Sequence, residues 1–205
     1  RPFNEQATGW IGLAKAFRAP SLDELYWEQP HWGMYGNQDL KPETALNGEL
    51  GLRILHGDQQ LEVVAFARKV ADLIRWLPKE GFIEVGNQGE HFFYGIELAN
   101  TYQLTPELLF RCGYTLLEGI KIPEKTRSEY TPRHTFSGSL TFSSGPITGT
   151  VTGNFQSEQI TSFSPNLPPR FVANCQLSYQ LKQGKVTFTI DNLTDTKYEE
   201  QEGYS

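Results

Sequence analysis

The stretch from Phe17 to Glu43 holds the side chains best suited to ligand binding. It is the longest interval in which apolar and polar residues do not alternate, so it is predicted to be a long loop. Long loops on a rigid sheet commonly carry binding surfaces. Its aromatic residues could stack on a large flat or amphipathic ligand, or pack against each other; they are Tyr26, Trp27, Trp32 and Tyr35.

Polar residues at the two ends of this loop have separate predicted roles. Arg18 stands at the outer end of the preceding strand, where it could meet an anionic ligand, and Ala19-Pro20 ends that strand. Asn37 and Asp39 form turns that close the loop before the next strand. The interval carries two basic and five acidic residues, a balance that weakly disfavours anionic ligands.

Composition excludes several classes of function. The chain has 205 residues, only 38% of them hydrophobic, and a net charge of -6 without a Lys/Arg run, which argues against nucleic-acid binding. Cys112 and Cys175 lack metal or redox spacing, the four histidines are scattered, and no hydrolase or phosphate-loop motif is present. We therefore expect neither an enzyme nor a resident cofactor. The amino terminus lacks the apolar core of a signal peptide.

Two-residue alternation dominates the rest of the chain. Leu46, Leu50 and Ile54 fall on one face of a predicted strand, with Glu49 and Arg53 on the other. The same alternation recurs around residues 91–98, 110–116, 135–142, 147–156, 171–181 and 186–191. The strand from Leu61 to Leu77 is predicted without assigned faces. The cysteines fall on the apolar face of non-neighbouring strands, which predicts free thiols.

The polar face favours a barrel over a soluble sandwich. It is mostly Thr, Ser, Asn, Gln and Gly, whereas the outer face of a soluble sandwich usually carries Lys and Glu. A wet, sparsely charged face suits the lumen of a wide barrel with its apolar side in lipid. Aromatic residues near predicted strand ends fit interfacial girdles; they are Tyr102, Phe142, Phe155, Phe171 and Tyr179.

Short and long connections alternate along the chain. Short turns are predicted at 56–59, 104–107, 143–146 and 182–185, and long links at 17–43, 77–90, 118–131 and 157–169. Short turns on one rim and long loops on the other are typical of an outer-membrane barrel. The fold class is all-β, an antiparallel up-and-down meander of about nine strands. An open sheet of this kind has unpaired edges, so a closed barrel needs more chain.

Several motifs carry a family resemblance along the chain. FRAPSLDELYW from Phe17, GNQDLKPE from Gly36, FARKVADLI from Phe66 and VGNQGEHFFYGIE from Val85 are followed by NLTDTKYEE from Asn192 and GYS. In this order they resemble the carboxy-terminal third of a TonB-dependent outer-membrane receptor, most closely the vitamin B12 receptor branch.

This resemblance implies a barrel of about 22 strands with a plugged lumen. Residues 1–205 would supply the carboxy-terminal part of it, without the plug or the final strand. It further implies TonB-driven uptake of a scarce organometallic ligand, cobalamin in preference to haem or a ferric siderophore, across the outer membrane of a Gram-negative bacterium. Its partners would be that ligand, outer-membrane lipid, and TonB through the missing plug region.

His31 supports the haem alternative. Haem receptors of the superfamily resemble this chain in having a FRAP box and a downstream histidine, which is a candidate axial ligand of iron. Those receptors also have an NPNL-like second box. The corresponding segment here, from Asn37 to Leu40, departs from it at Gln38 and Asp39. A different class, a soluble β-sandwich that binds carbohydrate, requires the Leu50/Leu52/Ile54 row to be buried under a second sheet.

Overall fold

A computed structural model describes residues 3–161 and 166–199, and the side chains from residue 6 onward. Within these ranges the chain is nearly all antiparallel strand, as the alternation predicts. The GYS motif at 203–205 and part of the link at 157–169 lie outside the described residues.

Eleven strands, one helix and one 3₁₀ turn are present in the described ranges. In chain order they are β1 (Phe3–Arg18), α1 (Leu22–Tyr26), β2 (Glu28–Gln29), a 3₁₀ turn (Pro30–Trp32), β3 (Met34–Tyr35), β4 (Glu43–Gly57), β5 (Gln59–Lys79), β6 (Phe82–Thr105), β7 (Leu108–Ile122), β8 (His134–Ser144), β9 (Ile147–Gln156), β10 (Arg170–Leu181) and β11 (Gly184–Ile190).

Nine of these strands form one meander in the order β1-β4-β5-β6-β7-β8-β9-β10-β11. Each pairs antiparallel with the next, and β1 and β11 are the open edges of this order. The up-and-down meander of about nine strands predicted from the sequence is therefore confirmed. The small strand β3 joins the sheet separately by pairing in parallel with β6.

The pairing register aligns one apolar face across the whole sheet. Ile11 lies opposite Leu50, which lies opposite Ala65, and Ala65 lies opposite Ile96. Side chains on this apolar face stay open: Ile11 is 77% exposed, Leu50 61% and Phe188 62%. In the part of the chain that the structure describes, no second layer covers these residues, so the buried row that the soluble-sandwich alternative requires is not found.

The same register settles the faces of β5, which the sequence left unassigned. Val63 lies opposite Leu52 and therefore belongs to the apolar face, whereas Glu62 lies opposite Arg53 on the polar face. Glu62 accepts a hydrogen bond from Arg53 at 2.8 Å, and Arg68 donates one to Asn47 at 2.6 Å. The pattern was ambiguous because Val64 and Phe66 place apolar residues on the polar face as well.

The connections define two rims, and one predicted link is wrong. Tight turns join β4 to β5, β6 to β7, β8 to β9 and β10 to β11 at the short-turn rim. At the opposite, long-connection rim, residues 77–90 are mostly strand rather than loop, with Trp76 paired to Val85 above a turn at Glu80 and Gly81. Similarly, β7 runs on to Ile122, so the link predicted at 118–131 begins later.

Most of the fully buried residues lie near the long-connection rim. Val85, His91 and Ser128 are almost completely enclosed, with Val70 and Ile74 also buried. His91 Nδ1 lies 3.0 Å from Ser128 Oγ, and Glu129 forms ion pairs with Lys121 and Arg75. This small core packs the β5–β6 hairpin against the β7–β8 connection, which gives the rim a fixed structure.

The aromatic residues predicted as girdles lie near both rims on the apolar face. Tyr102, Phe142 and Tyr179 stand within a few residues of the short turns, and Phe155 lies opposite Phe171 near the other rim. Both cysteines are free thiols, as predicted, and both are half-buried. Among the described residues, no helix is long and apolar enough to cross a membrane.

Candidate ligand-binding rim

The predicted loop from Phe17 to Glu43 is ordered rather than irregular, and it begins with a capped helix. Ser21 precedes α1 and its hydroxyl accepts a hydrogen bond from the Glu24 backbone, while the Glu24 carboxylate accepts one from the Ser21 backbone. This is a capping box, which satisfies two backbone donors at the helix start. The Ser-x-x-Glu spacing is visible in the sequence and could have revealed the helix.

The loop then folds back and pairs with the β5–β6 hairpin. β2 pairs with β3, and β3 pairs in parallel with the beginning of β6. Ile83 donates a backbone hydrogen bond to Gly33 at 2.7 Å, and the Tyr35 ring meets Phe82 edge-on at 6.0 Å between centroids. Hydrogen bonds and ring contact therefore make the loop and the hairpin one structural unit, here named the aromatic rim (residues 19–42 with 76–90).

Arg18 is held by two carboxylates at the base of this unit. Its guanidinium donates to Glu24 at 2.8 and 3.0 Å and to Glu43 at 2.8 and 2.9 Å. Glu43 also accepts a hydrogen bond from the Ile74 backbone at 2.7 Å. Arg18 thus links the helix of the loop to strands β1, β4 and β5, an arrangement named here the Arg18 clamp (Arg18, Glu24 and Glu43).

The clamp alters the ionisation of all three groups. Partial burial alone would raise the pKa of Glu24, but hydrogen bonds from Arg18 and from the Ser21 backbone lower it below the ordinary value. The pKa of Glu43 is lowered against the same burial by Arg18 and the Ile74 amide. Hydrogen bonds to Glu43 and Glu24 raise the pKa of Arg18. The clamp is therefore fully charged near neutral pH.

Three further residues fix the second half of the loop. The Asn87 side chain accepts a hydrogen bond from the Lys41 backbone and donates to the carbonyls of Lys41 and Asp72, at 2.8 to 2.9 Å. Gly36 lies against α1, where an added Cβ would stand 2.9 Å from backbone atoms of Leu25, Tyr26 and Trp27. Asn37 forms the predicted turn by accepting from the Asp39 backbone at 2.9 Å.

Some of the predicted site residues support the aromatic rim, and the others lie exposed on its surface. Arg18 and Tyr35 belong to the support, through the clamp and the contact with Phe82. Trp32 is 78% exposed, Tyr26 59% and Trp27 42%, and His31 is exposed beside Trp32 in the 3₁₀ turn. Within the described residues, no three His, Cys, Asp or Glu side chains are grouped to hold a metal ion.

Sequence reasoning missed a pocket on the polar face of the sheet. Its volume is about 680 Å³, and its lining crosses five neighbouring strands from Gly12 through Glu49, Phe66 and Phe93 to Leu117. Tyr130, Thr131 and Pro132 of the β7–β8 connection lie over it. The polar face of these five strands and the β7–β8 connection together border the pocket. The inward position of Phe66 was hidden because the faces of β5 were unassigned, whereas that of Phe93 followed from the alternation around residues 91–98.

Comparison with known sequences identifies one family and several distant relatives. A model of the family described as "TonB dependent receptor-like, beta-barrel" matches residues 2–193. The vitamin B12 transporter BtuB of Vibrio vulnificus is 24% identical over 191 residues, which cover 89% of this chain and 29% of the relative. The iron-regulated outer membrane virulence protein of Vibrio cholerae is 48% identical over 48 residues, 20% of this chain and 7% of that protein.

Solved structures share the fold at low sequence identity. The copper transporter OprC superposes with a TM-score of 0.78 and 19% identity, over 96% of this chain and 32% of that one. A mutant ferric enterobactin receptor of Pseudomonas aeruginosa in complex with enterobactin superposes with a TM-score of 0.73 and 22% identity. The match covers 94% of this chain and 34% of that one. The chain thus spans about a third of the length of these two solved structures and 29% of the Vibrio vulnificus transporter.

Proposed function

Because the chain belongs to the TonB-dependent receptor-like β-barrel family, we propose that it forms part of the wall of an outer-membrane receptor in a Gram-negative bacterium. The receptor takes up a scarce organometallic ligand, with cobalamin favoured. In this proposal the apolar face contacts lipid and the polar face lines the lumen. Other segments of the receptor supply the final strand of the barrel and the plug. TonB contacts the plug region and displaces the plug.

The observation that carries the proposal is the single apolar face that runs in register across nine strands. On β4 it extends from Leu46 to Ile54, a length that suits the roughly 9 to 11 residues of a tilted transmembrane strand. Lys69, opposite Leu46 at the end of that stretch, forms an ion pair at 2.8 Å with Glu90 on the same face, where lipid headgroups and water would begin. Tyr102 and Tyr179 border the stretch at the short-turn rim.

Ligand capture is assigned to the aromatic rim. Tyr26, Trp27 and Trp32 are exposed aromatic side chains on a loop that is fixed by the Arg18 clamp and by Asn87. Rigid aromatic anchors supply contact area at little entropic cost. A large ligand with a flat macrocycle fits this surface, in agreement with the BtuB relatives that transport vitamin B12.

Charge at the aromatic rim favours a neutral ligand over an anionic one. The clamp pairs Arg18 with Glu24 and Glu43. The exposed charges left on the loop are Asp23, Glu28 and Asp39 against Lys41, and on the hairpin Glu80 against Lys79. An exposed acidic surface repels anionic ferric complexes, although salt largely screens this repulsion beyond about 10 Å. A neutral corrinoid is therefore preferred to an anionic siderophore.

Haem or a ferric siderophore is the alternative ligand. Exposed His31 beside Trp32 offers an imidazole to haem iron next to an aromatic ring. A role in iron uptake, common to both alternatives, is supported by the likeness to the iron-regulated protein of Vibrio cholerae, which is confined to a short part of the chain.

Calorimetric titration of the purified full receptor with cyanocobalamin, haemin and a ferric catecholate siderophore tests the proposal. We expect binding of cyanocobalamin that weakens by about 30-fold in Trp32→Ala, because truncating a central aromatic anchor commonly costs 2 kcal/mol or more. Tyr179→Ala, an aromatic truncation at the other rim, should leave affinity unchanged. Binding of haemin alone, abolished by His31→Ala, would replace cobalamin with haem, and a titration with no binding of any of the three would contradict the proposal.

A further inference from the structure

Two phenyl rings lie on the polar face of the sheet. Phe66 of β5 lies opposite Glu49, and Phe93 of β6 lies opposite Arg68, so all four side chains share that face. Both phenylalanines are half-buried and line the pocket of about 680 Å³. Apolar surface in contact with water gains free energy when a partner covers it. A face that is otherwise polar therefore carries an apolar area that a ligand can cover.

Glycines on the neighbouring strands let both rings lie along the sheet. Phe66 lies opposite Gly95, where an added Cβ would stand 2.9 Å from the ring. Phe93 lies opposite Gly119, where the same distance would be 2.8 Å. Each ring thus reaches over the next strand at a position that carries no side chain. The two rings form part of the floor of the pocket without filling it.

Charged groups of both signs border the same pocket. Arg68 donates from Nε to Asn47 at 2.6 Å, and Glu49 accepts from the Trp10 indole at 3.0 Å. Glu97 is exposed, and within the described residues it has no hydrogen-bond or ion-pair partner. A guanidinium donates to carbonyl oxygens, and a carboxylate accepts from amide and hydroxyl groups. The pocket therefore suits an uncharged ligand with both kinds of polar group at its edge.

The cover of the pocket is fixed by hydrogen bonds. The Ser128 backbone donates to the Gly119 carbonyl at 2.8 Å, and Ser128 Oγ lies 3.0 Å from His91 Nδ1. The Tyr130 backbone donates to the Ile160 carbonyl at 2.7 Å. Tyr130 and the two residues after it lie over the pocket, so the site is already shaped before a ligand arrives. Binding to such a preformed site costs little ordering of the protein.

The pocket is separate from the aromatic rim. On β4, Glu43 belongs to the Arg18 clamp, whereas Asn47 and Glu49 line the pocket. At about 3.3 Å per residue, these two positions lie roughly 13 to 20 Å along the strand from Glu43, towards the short-turn rim. The volume of about 680 Å³ is typical of a site for a small molecule or for one side of a larger one.

We propose that this pocket is a second ligand site inside the barrel, named here the inner site (Phe66, Arg68, Phe93, Glu97 and Tyr130). It binds an apolar ring system of the ligand against the two phenyl rings, while Arg68 and Glu97 bind amide or hydroxyl groups at the edge of that ring system. This inference rests on the proposed function and deepens it, because it gives the ligand a binding place apart from the aromatic rim.

Calorimetric titration of the full receptor with cyanocobalamin, or with haemin where the parent binds haemin instead, tests the inner site. We expect Phe66→Leu and Phe93→Leu each to weaken binding roughly threefold to tenfold, because leucine keeps apolar bulk but loses the ring. Phe142→Leu makes the same change on the apolar face and should leave affinity unchanged. Gel mobility that changes on heating checks that each variant is a folded barrel.

The failure of this inference differs from the failure of the proposed function. Parental affinity in both Phe66→Leu and Phe93→Leu, with weaker binding in Trp32→Ala, would overturn the inner site and leave the proposed function intact. A parent receptor that binds neither cyanocobalamin nor haemin would overturn the inner site together with the proposed ligand.

A thiol placed in the pocket measures its occupancy directly. In a receptor with Cys112→Ala and Cys175→Ala, Thr115→Cys lies in the pocket lining and Thr101→Cys lies outside it on the same face. We expect cyanocobalamin or haemin at about ten times its Kd to slow methanethiosulfonate modification of Thr115→Cys about tenfold, since about one site in ten stays free. The rate at Thr101→Cys should not change.

Two results of the thiol experiment would overturn the inner site. One is an equal rate of modification of Thr115→Cys with and without the bound probe. The other is a Thr115→Cys thiol that reacts in neither state, which would show that another segment of the receptor fills the pocket.

Discussion

The Arg18 clamp shows how one side chain can hold a binding surface without belonging to it. The sequence offered Arg18 as a possible partner of an anionic ligand, a role that stays a prediction. In the structure its guanidinium already contacts both Glu24 and Glu43. The position of a residue at a loop base can be read from sequence, but its partners depend on how the loop returns to the sheet.

Removing the clamp should free the aromatic rim. We expect Arg18→Ala to increase protease cleavage between residues 19 and 42 in the full receptor, because the clamp no longer links α1 to β4. Exposed ion pairs contribute about 0.2 to 1 kcal/mol each, so the loss should be on the order of 1 kcal/mol. Arg53→Ala removes another Arg–Glu pair and should not change cleavage in this segment. Equal cleavage in parent and Arg18→Ala would contradict a clamping role.

Acid should release the aromatic rim only at a pH below the ordinary pKa of a glutamate. Glu24 and Glu43 have lower pKa values in the folded chain than the ordinary 4.5. Their contribution to docking is therefore complete above that pH and is lost only as pH falls further, towards the folded-state values. Tryptophan fluorescence of the full receptor should report release below pH 4.5 in the parent. The Arg18→Ala variant should lack this transition, and a parent transition above pH 5 would contradict the assignment.

Gly36 gives a steric test of the same docking. A Cβ at this position meets three backbone atoms at 2.9 Å, closer than real contacts allow, so Gly36→Ala must displace the loop from α1. We expect weaker binding of cyanocobalamin and faster cleavage of the loop, both measured on the full receptor. Gly184→Ala adds the same methyl group in open space and should change neither. A Gly36→Ala receptor with parental affinity would show that α1 need not stay docked.

At the scale of elements, Asn87 couples the loop to the long hairpin. It accepts from one backbone amide and donates to two carbonyls, so a carboxylate in its place would face two acceptors. We expect Asn87→Asp to speed hydrogen exchange at β3, with a cost of about 1 to 3 kcal/mol for the unsatisfied groups. Gln38→Glu introduces the same charge on an exposed side chain of the loop. Similar exchange in both variants would contradict the coupling.

The alternation of residues predicted most strands and their faces, and the reason is physical. A strand that is apolar on one side repeats every two residues, as between Leu46 and Ile54, whatever its neighbours are. The pattern predicted the strand from Leu61 to Leu77 without its faces and took the start of β6 for a loop. These segments do not have one apolar and one polar side, because Val70, Ile74 and Val85 are buried in the small core of the rim. For the site, the sequence predicted which loop carries the aromatic side chains. It did not predict that Asn87 and Glu43 support this loop, because their contacts join residues distant in sequence.

For the whole molecule, the decisive property is the opposition of the two faces. The register places Leu50 midway along the apolar stretch and Thr101 on the polar face of β6, opposite Gln60 and Arg111. An arginine substituted at one or the other position therefore tests which face meets lipid and which meets the lumen. The same cation would be equally tolerated at both positions if both faces met water.

We expect Leu50→Arg to impair assembly of the receptor in the outer membrane and Thr101→Arg to be tolerated. Arginine at the bilayer midplane costs a barrel about 2 to 4 kcal/mol, whereas arginine in the lumen remains hydrated. The measurement is the fraction of receptor in the membrane that keeps the altered gel mobility of a folded barrel until it is heated. Equal loss from both substitutions, or greater loss from Thr101→Arg, would contradict the assignment of the apolar face to lipid and of the polar face to the lumen.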